Sequence, residues 1–164
     1  MSVNEAGCIE RPDLPFVTHA RSRLGPGGKL AFYWLPALLW MALIWVLSSS
    51  TPDTLERTTK GLPSFLTLPT VAHVIEFAVL AALLLRLFKS TLSRRRAAVW
   101  AASALVALLY AGVDEMHQSF VPGRQSSLID IGYDALGAAA GLAAWAILGP
   151  TVRRFLSAHR TKDG

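Results

Sequence analysis

Long apolar runs alternate with short polar connections along the 164-residue chain, and four of the runs are long enough to cross a membrane. Residues 31–49, AFYWLPALLWMALIWVLSS, carry no charge, and at about 1.5 Å per residue they cover roughly the 30 Å of a hydrocarbon core. Pro36 predicts a kink in this first span, and Trp34 behind Lys29 predicts an interface anchor. Residues 70–88, TVAHVIEFAVLAALLLRLF, predict the second span, apolar except for His73, Glu76 and Arg86. The third is expected from Ala97 to about Met116 and the fourth from about Leu128 to Leu148. Gly61, Pro63 and Pro69 break the 52–69 linker, which has room for a short surface helix at 53–60. The expected fold is all-α, a four-transmembrane-helix bundle, with the Trp and Phe side chains of the spans facing lipid.

Polar residues divide the chain further. Residues 1–29 are rich in Gly, Pro and charge and are expected to be a mobile tail; 30–150 form the membrane domain, and 151–164 a second, basic tail. The first apolar run is longer than a signal-peptide core and lacks an A-x-A-like exit, so it is expected to stay in place as an anchor. Basic residues fall on one side of the predicted membrane. Arg11, Arg21, Arg23 and Lys29 precede the first span, and Arg86, Lys89, Arg94, Arg95 and Arg96 join the second to the third. Arg153, Arg154, Arg160 and Lys162 follow the fourth, leaving Arg57, Lys60 and Arg124 opposite. The positive-inside rule therefore predicts both termini in the cytoplasm, with Ser48–Ser50, His73, Glu76 and the stretch from Tyr110 to Gly141 toward the outer face.

Composition agrees with the pattern. Hydrophobic residues make up 52% of the chain and charged residues 16%, with a positive mean hydropathy, which excludes an ordinary soluble globule. The net charge of +5 does not point to nucleic acid, because the basic residues sit at the ends of apolar runs rather than along one aromatic-lined face. A single cysteine, Cys8, excludes an intrachain disulfide and a paired-cysteine metal site.

The candidate site lies in YAGVDEMHQSFVPGRQSSLIDIGYDALGAAAG, residues 110–141. Asp114, Glu115, His117, Gln118, Arg124, Asp130 and Asp134 fall there within 21 positions, flanked by apolar runs. Helix geometry sets His73 about 5 Å, Glu76 about 9 Å and Asp134 about 10 Å below the membrane surface. Ionisable groups at such depths usually face protein or water and carry function, so a polar pocket opening outward is expected. His73 and Glu76 share a face at i, i+3, as do Tyr110, Asp114 and His117 or Gln118. Asp130, Asp134, Gly137 and Gly141 share another, where Gly137-x-x-x-Gly141 invites a close helix neighbour. The short VPGRQ connection predicts that this neighbour is the third span; a second copy of the chain is the alternative.

Each feature also has a structural reading. Ser127-x-x-Asp130 fits a capping box, Val121-Pro122-Gly123-Arg124 a type II turn, and Asp114 with Glu115 a solvated helix end. His73 with Glu76 fits a satisfied buried pair, and Arg124 either meets an anionic group or neutralises Glu115 or Asp130. On the functional side, His73, Glu76, Asp114, Glu115 and Gln118 are candidate catalytic groups, with His73 and Glu115 as base and acid. Arg124, Asp130 and Asp134 are candidate substrate-binding groups. Histidine and carboxylates on neighbouring helices are also ligands a divalent cation accepts, although no zinc-protease, P-loop or nucleophile-elbow motif is present.

Two segments carry a resemblance. AHVIEFAVLA at 72–81 and DEMHQSFVPGRQSSLIDIGYDALGAAAG at 114–141, with the Ser48-Ser49-Ser50 exit of the first span, resemble the VanZ-like family. These are small membrane proteins named for an accessory glycopeptide-resistance protein of Gram-positive bacteria. The second segment is similar to the family pattern D-E-x-x-Q-x-F-x-P-G-R…D-x-x-x-N-x-x-G, matched by Glu115, Gln118, Arg124 and Asp130, with His73 matching the second-span motif. Asp134 departs from it, standing where Asn is usual. The resemblance implies a multi-pass protein of the bacterial plasma membrane, associated in some members with reduced susceptibility to teicoplanin-type glycopeptides. The expectation for this chain is a site that binds or modifies a cell-envelope component, a lipid-linked or anionic glycan. A non-enzymatic envelope-organising role and a small transporter are the alternatives.

Overall fold

The computed structural model describes residues 26–65, 68–92 and 95–160. They contain five helices and no strand: α1 (Pro26–Ser48), α2 (Pro52–Thr58), α3 (Pro69–Thr91), α4 (Arg96–Gln118) and α5 (Leu128–Arg160). Four candidate spans, Ala31–Ser48, Pro69–Thr91, Arg96–Gln118 and Leu128–Gly149, are long and apolar enough to cross a membrane. The four expected spans and the short linker helix are all present. Local chemistry explains the boundaries. Pro52 and Pro69 occupy the first turns of α2 and α3, where a missing N–H costs nothing, and Thr51 Oγ1 accepts from the Thr54 N–H at 3.4 Å to cap α2. Between α4 and α5 the Arg124 N–H reaches the Val121 carbonyl at 3.1 Å and Gly123 has φ +81°, the type II turn expected there.

Two boundaries differ from expectation. α1 begins at Pro26, inside the stretch assigned to the N-terminal tail; the rest of that stretch, including Cys8, lies outside the described residues. α5 continues through Pro150 to Arg160, so 151–160 prolong the helix. One proline removes one backbone hydrogen bond and leaves the others of the ladder intact.

The spans run alternately up and down. At one end Arg86 of α3 lies over the rings of Phe32 and Tyr33 of α1, at 4.6 and 5.3 Å, and Lys89 lies over Trp100 of α4 and Trp145 of α5, at 5.1 and 5.3 Å. The end of α1, the start of α3, the end of α4 and the start of α5 gather at the other. α3 is central, packing against α1, α4 and most extensively α5. Its buried face, Phe77, Leu80, Ala81, Leu84 and Leu85, is the core of the bundle. Phe77 is therefore core rather than lipid-facing: it sits one turn beyond His73 on the face that meets α4 and α5.

Large apolar side chains point outward. Leu38, Leu39 and Val46 of α1, Leu105 and Leu109 of α4 and Leu136 and Ile147 of α5 are exposed, whereas α4 buries Ser103, Ala107, Ala111 and Asp114. Lipid solvates leucine as well as a protein core does, so small residues that bring backbones together occupy the interfaces. The Gly137 and Gly141 face shows this most sharply. A Cβ on Gly141 would meet the Ala78 carbonyl oxygen and lie 2.7 Å from Ala78 C; one on Gly137 would meet the Val74 carbonyl oxygen and lie 2.9 Å from Val74 Cα. The neighbour is thus the second span and not the third: the short connection keeps α4 beside α5, while the glycine face is filled by α3. Being filled within the chain, it is not open to a second copy.

Candidate functional site

At the end where α1 and α4 finish, polar side chains from four helices meet inside the bundle. Asp114 and Asp134 are fully buried, and Glu115, Gln118, Ser48 and His73 are 2, 3, 4 and 6% exposed. The site is therefore a closed polar core rather than an open pocket. It has two halves.

One half is an interlocked hydrogen-bond chain. Asp114 Oδ2 accepts from Ser48 Oγ and from Gln118 Nε2, each at 2.9 Å, tying the end of α1 to α4. Gln118 Oε1 accepts from Arg124 Nη1 at 3.3 Å. The same guanidinium donates through Nε to the Ser50 carbonyl at 3.2 Å and through Nη2 to the Leu47 carbonyl at 3.1 Å. Arg124 thus closes the C-terminal end of α1, where helix carbonyls lack partners and the dipole favours a cation. It pairs with neither Glu115 nor Asp130. Beside this chain Ser49 Oγ and His117 Nε2 lie 2.8 Å apart, and the His117 ring stacks on Trp45 at 3.8 Å.

The other half is formed by His73, Glu115 and Asp134, from α3, α4 and α5. His73 Nδ1 and Asp134 Oδ1 share a hydrogen bond of 2.9 Å. One ligand-type atom from each of the three residues lies within 4.8 Å of the other two. Gly137 explains the first contact: it sits one turn beyond Asp134 and lets α5 touch the α3 backbone at Val74, the residue after His73. Glu115 is held differently, with Oε2 accepting the Ser127 N–H at 2.7 Å. Ser127 Oγ in turn accepts from the Ile129 N–H at 3.1 Å. Ser127 therefore caps α5 as expected, but the return bond of the capping box comes from Glu115 across the turn and not from Asp130.

Asp130 and Glu76 stand at the edge. Among the described residues neither carboxylate makes a hydrogen bond, and the Glu76 backbone carbonyl accepts from Trp40 Nε1 at 2.9 Å. Glu76 interacts electrostatically with His73, Asp114 and Asp134. His73 is thus paired with Asp134 rather than with Glu76, because the i, i+3 neighbour lies along α3 while Asp134 approaches from the facing helix.

Three acceptors in this core have no hydrogen-bond partner: Asp114 Oδ1, Glu115 Oε1 and Asp134 Oδ2. Each such buried group costs about 1–3 kcal/mol, and more when charged. Among the described residues the one ion pair is His73 with Asp134. The arrangement can hold a cation, bind a polar ligand or move a proton between His73 and a carboxylate. Sequence reasoning brought together His73, Asp114, Glu115, Gln118 and Asp134. It did not reach the Arg124 contacts with the α1 carbonyls, since backbone acceptors have no signature in side-chain identity. The Ser48 bond to Asp114 was legible only as a polar helix exit.

A family model described as VanZ/LLP1 matches residues 32–149, which take in the four spans but for Ala31 and every residue of the polar core. No curated protein and no solved structure matches the chain.

Proposed function

The chain belongs to the VanZ/LLP1 family of membrane-helical proteins, and from that membership we propose that it works in the plasma membrane of a bacterium, binding or modifying a cell-envelope component through its polar core. The single observation that carries this reading is the convergence of Ser48, His73, Asp114, Glu115, Gln118 and Asp134 from four helices into one buried cluster. Ionisable groups within a span are costly and are kept where they act. Both termini lie in the cytoplasm and the core lies toward the outer face, as the basic residues imply. The ligand class is a lipid-linked or anionic glycan, and the outcome in the cell is altered susceptibility to teicoplanin-type glycopeptides. His73, Glu115 and Asp134 are the working groups; Gln118 and Arg124 are positioning residues that fix α1 against α4.

A non-enzymatic, envelope-organising role is the second reading, favoured by the interlocked Ser48–Asp114–Gln118–Arg124 chain that ties α1 to α4. A transport path is disfavoured. Toward the opposite end the buried residues among those described include Ala37, Leu84, Leu85, Leu87 and Val99, and Ser103 returns its hydroxyl to its own helix at Val99 O.

Teicoplanin susceptibility of a sensitive host expressing the wild type or Glu115→Gln, with membrane amounts matched by immunoblot, tests the proposal. Protection by the wild type alone supports it; two strains indistinguishable from the empty host refute the glycopeptide role. Turnover of lipid-linked glycan by the purified protein separates modification from binding. A reporter inserted after Ser127 that is active only in the cytoplasm overturns the orientation.

A further inference from the structure

The geometry points to a divalent metal site formed by His73, Glu115 and Asp134, suited to Zn2+ or Mn2+. Three observations meet there. The ligand atoms come from three different helices and lie within 4.8 Å of one another. Ligand atoms of a tetrahedral ion bound at about 2.0–2.2 Å stand roughly 3.3–3.6 Å apart, so the three side chains draw in by up to about 1 Å to close on one. Two of the carboxylates are buried, 2% and 0% exposed, and each keeps one oxygen, Glu115 Oε1 and Asp134 Oδ2, with no hydrogen-bond donor. A third unpartnered oxygen, Asp114 Oδ1, belongs to the same core.

Charge decides between a cation and a neutral occupant. His73, Glu76, Asp114, Glu115 and Asp134 interact within one polar core. Arg124 acts electrostatically on Glu76 but gives its hydrogen bonds to Leu47 O, Ser50 O and Gln118 Oε1. Nothing among the described residues neutralises Glu115 by an ion pair. A divalent ion supplies the missing charge and a partner for the oxygens together. One imidazole nitrogen with two carboxylate oxygens is a mixed donor set that suits zinc or manganese better than the all-oxygen shell calcium prefers. Glu115 is pre-oriented, because its other oxygen is held by the Ser127 N–H. Asp134 is pre-oriented by His73.

Three protein ligands leave coordination positions open, and an anionic oxygen of the ligand would take one of them. That last role rests on the envelope reading above; metal binding itself does not.

The test is metal content of the full-length protein purified in detergent, stripped with chelator, reloaded with Zn2+ or Mn2+ and measured by mass spectrometry, with affinity from titration. The wild type and Glu56→Gln, on the exposed face of α2, should bind about one ion per chain, and His73→Ala, Glu115→Gln and Asp134→Asn should bind at least about tenfold more weakly. Gln can keep the bond to the Ser127 N–H and Asn the bond to His73, so helicity by circular dichroism should be unchanged in both. A wild type that binds neither metal, or folded Glu115→Gln and Asp134→Asn variants that bind as the wild type does, overturns the site. The two proposals fail separately. Metal that binds while susceptibility is unaffected removes the envelope role, and a susceptibility effect in a protein that binds no metal removes the site.

Discussion

Replacing Gly141 with alanine should separate α3 from α5 and be read in stability and in the site at once. The added Cβ would stand 2.7 Å from Ala78 C and 2.8 Å from Ala78 Cα, and would meet the Ala78 carbonyl oxygen. Carbon atoms pack best at about 3.5–4.0 Å, so the shortfall is about 0.8 Å or more. The obstacle is backbone and cannot rotate away, so the helices themselves must part. Overpacking of a tight interior costs about 1–3 kcal/mol, and a rigid obstacle belongs at the upper end. Alanine recovers about 1 kcal/mol of helix propensity, leaving a net loss of about 2 kcal/mol. Gly132 supplies the control, since a Cβ there meets nothing within 4 Å and only the propensity gain remains. The assay is reversible unfolding in mixed micelles of the wild type, Gly141→Ala and Gly132→Ala. The first variant should fall below the wild type and the second rise above it by up to about 1 kcal/mol. If Gly141→Ala is as stable as Gly132→Ala, the close approach of α3 and α5 is wrong, and with it the account of how His73 reaches Asp134.

Other perturbations follow from single contacts. Arg124→Ala removes donors from Leu47 O, Ser50 O and Gln118 Oε1 and should cost about 2–3 kcal/mol in the same assay; Arg124→Lys should not restore it, because one ammonium cannot replace the planar fork. Glu115→Ala should be less stable than Glu115→Gln by about 1–3 kcal/mol, since only Gln keeps an acceptor for the Ser127 N–H; equal stabilities would rule out Glu115 as the partner of that cap. Trp40→Phe deletes the bond to the Glu76 carbonyl that joins α1 to α3 and should cost about 0.6 kcal/mol, with a shift in tryptophan fluorescence on unfolding as the check.

The spans, the turn and most of the polar core were legible in the sequence because each rests on a local rule. Charge-free runs of spanning length leave little choice of structure, and Pro122-Gly123 sets its turn by backbone conformation alone. Helical spacing put Asp134, Gly137 and Gly141 on one face, and Asp114 with Gln118 on another. What spacing cannot supply is which face meets which. Loop length suggested α4 as the partner of the glycine face, yet a short loop constrains only helix ends, whereas backbone contact at Val74 and Ala78 is set by the shapes of both helices along their length. The same limit hid the clasp of Arg124 on the carbonyls of α1. Phe77 looked like lipid-facing bulk because lipid and core accept the same side chains, and nothing in its identity distinguishes them.

The division of the polar core into two halves bears on why a membrane bundle would keep it. Hydrogen bonds between helices in lipid average about 0.6 kcal/mol, so a cluster retained only to hold helices together gains little per contact and should leave no group unmatched. The Ser48–Asp114–Gln118–Arg124 half largely meets that condition, with buried Asp114 Oδ1 its one unmatched acceptor. The His73–Glu115–Asp134 half does not: it gathers two carboxylates about one histidine and leaves an oxygen of each carboxylate without a donor. As glue, two buried unmatched acceptors at about 1–3 kcal/mol each would outweigh the single His73–Asp134 bond. Helices joined by Gly137 and Gly141 against the α3 backbone need no such glue in any case. The satisfied half is therefore the frame, and the unsatisfied half is what the frame holds ready for something that binds.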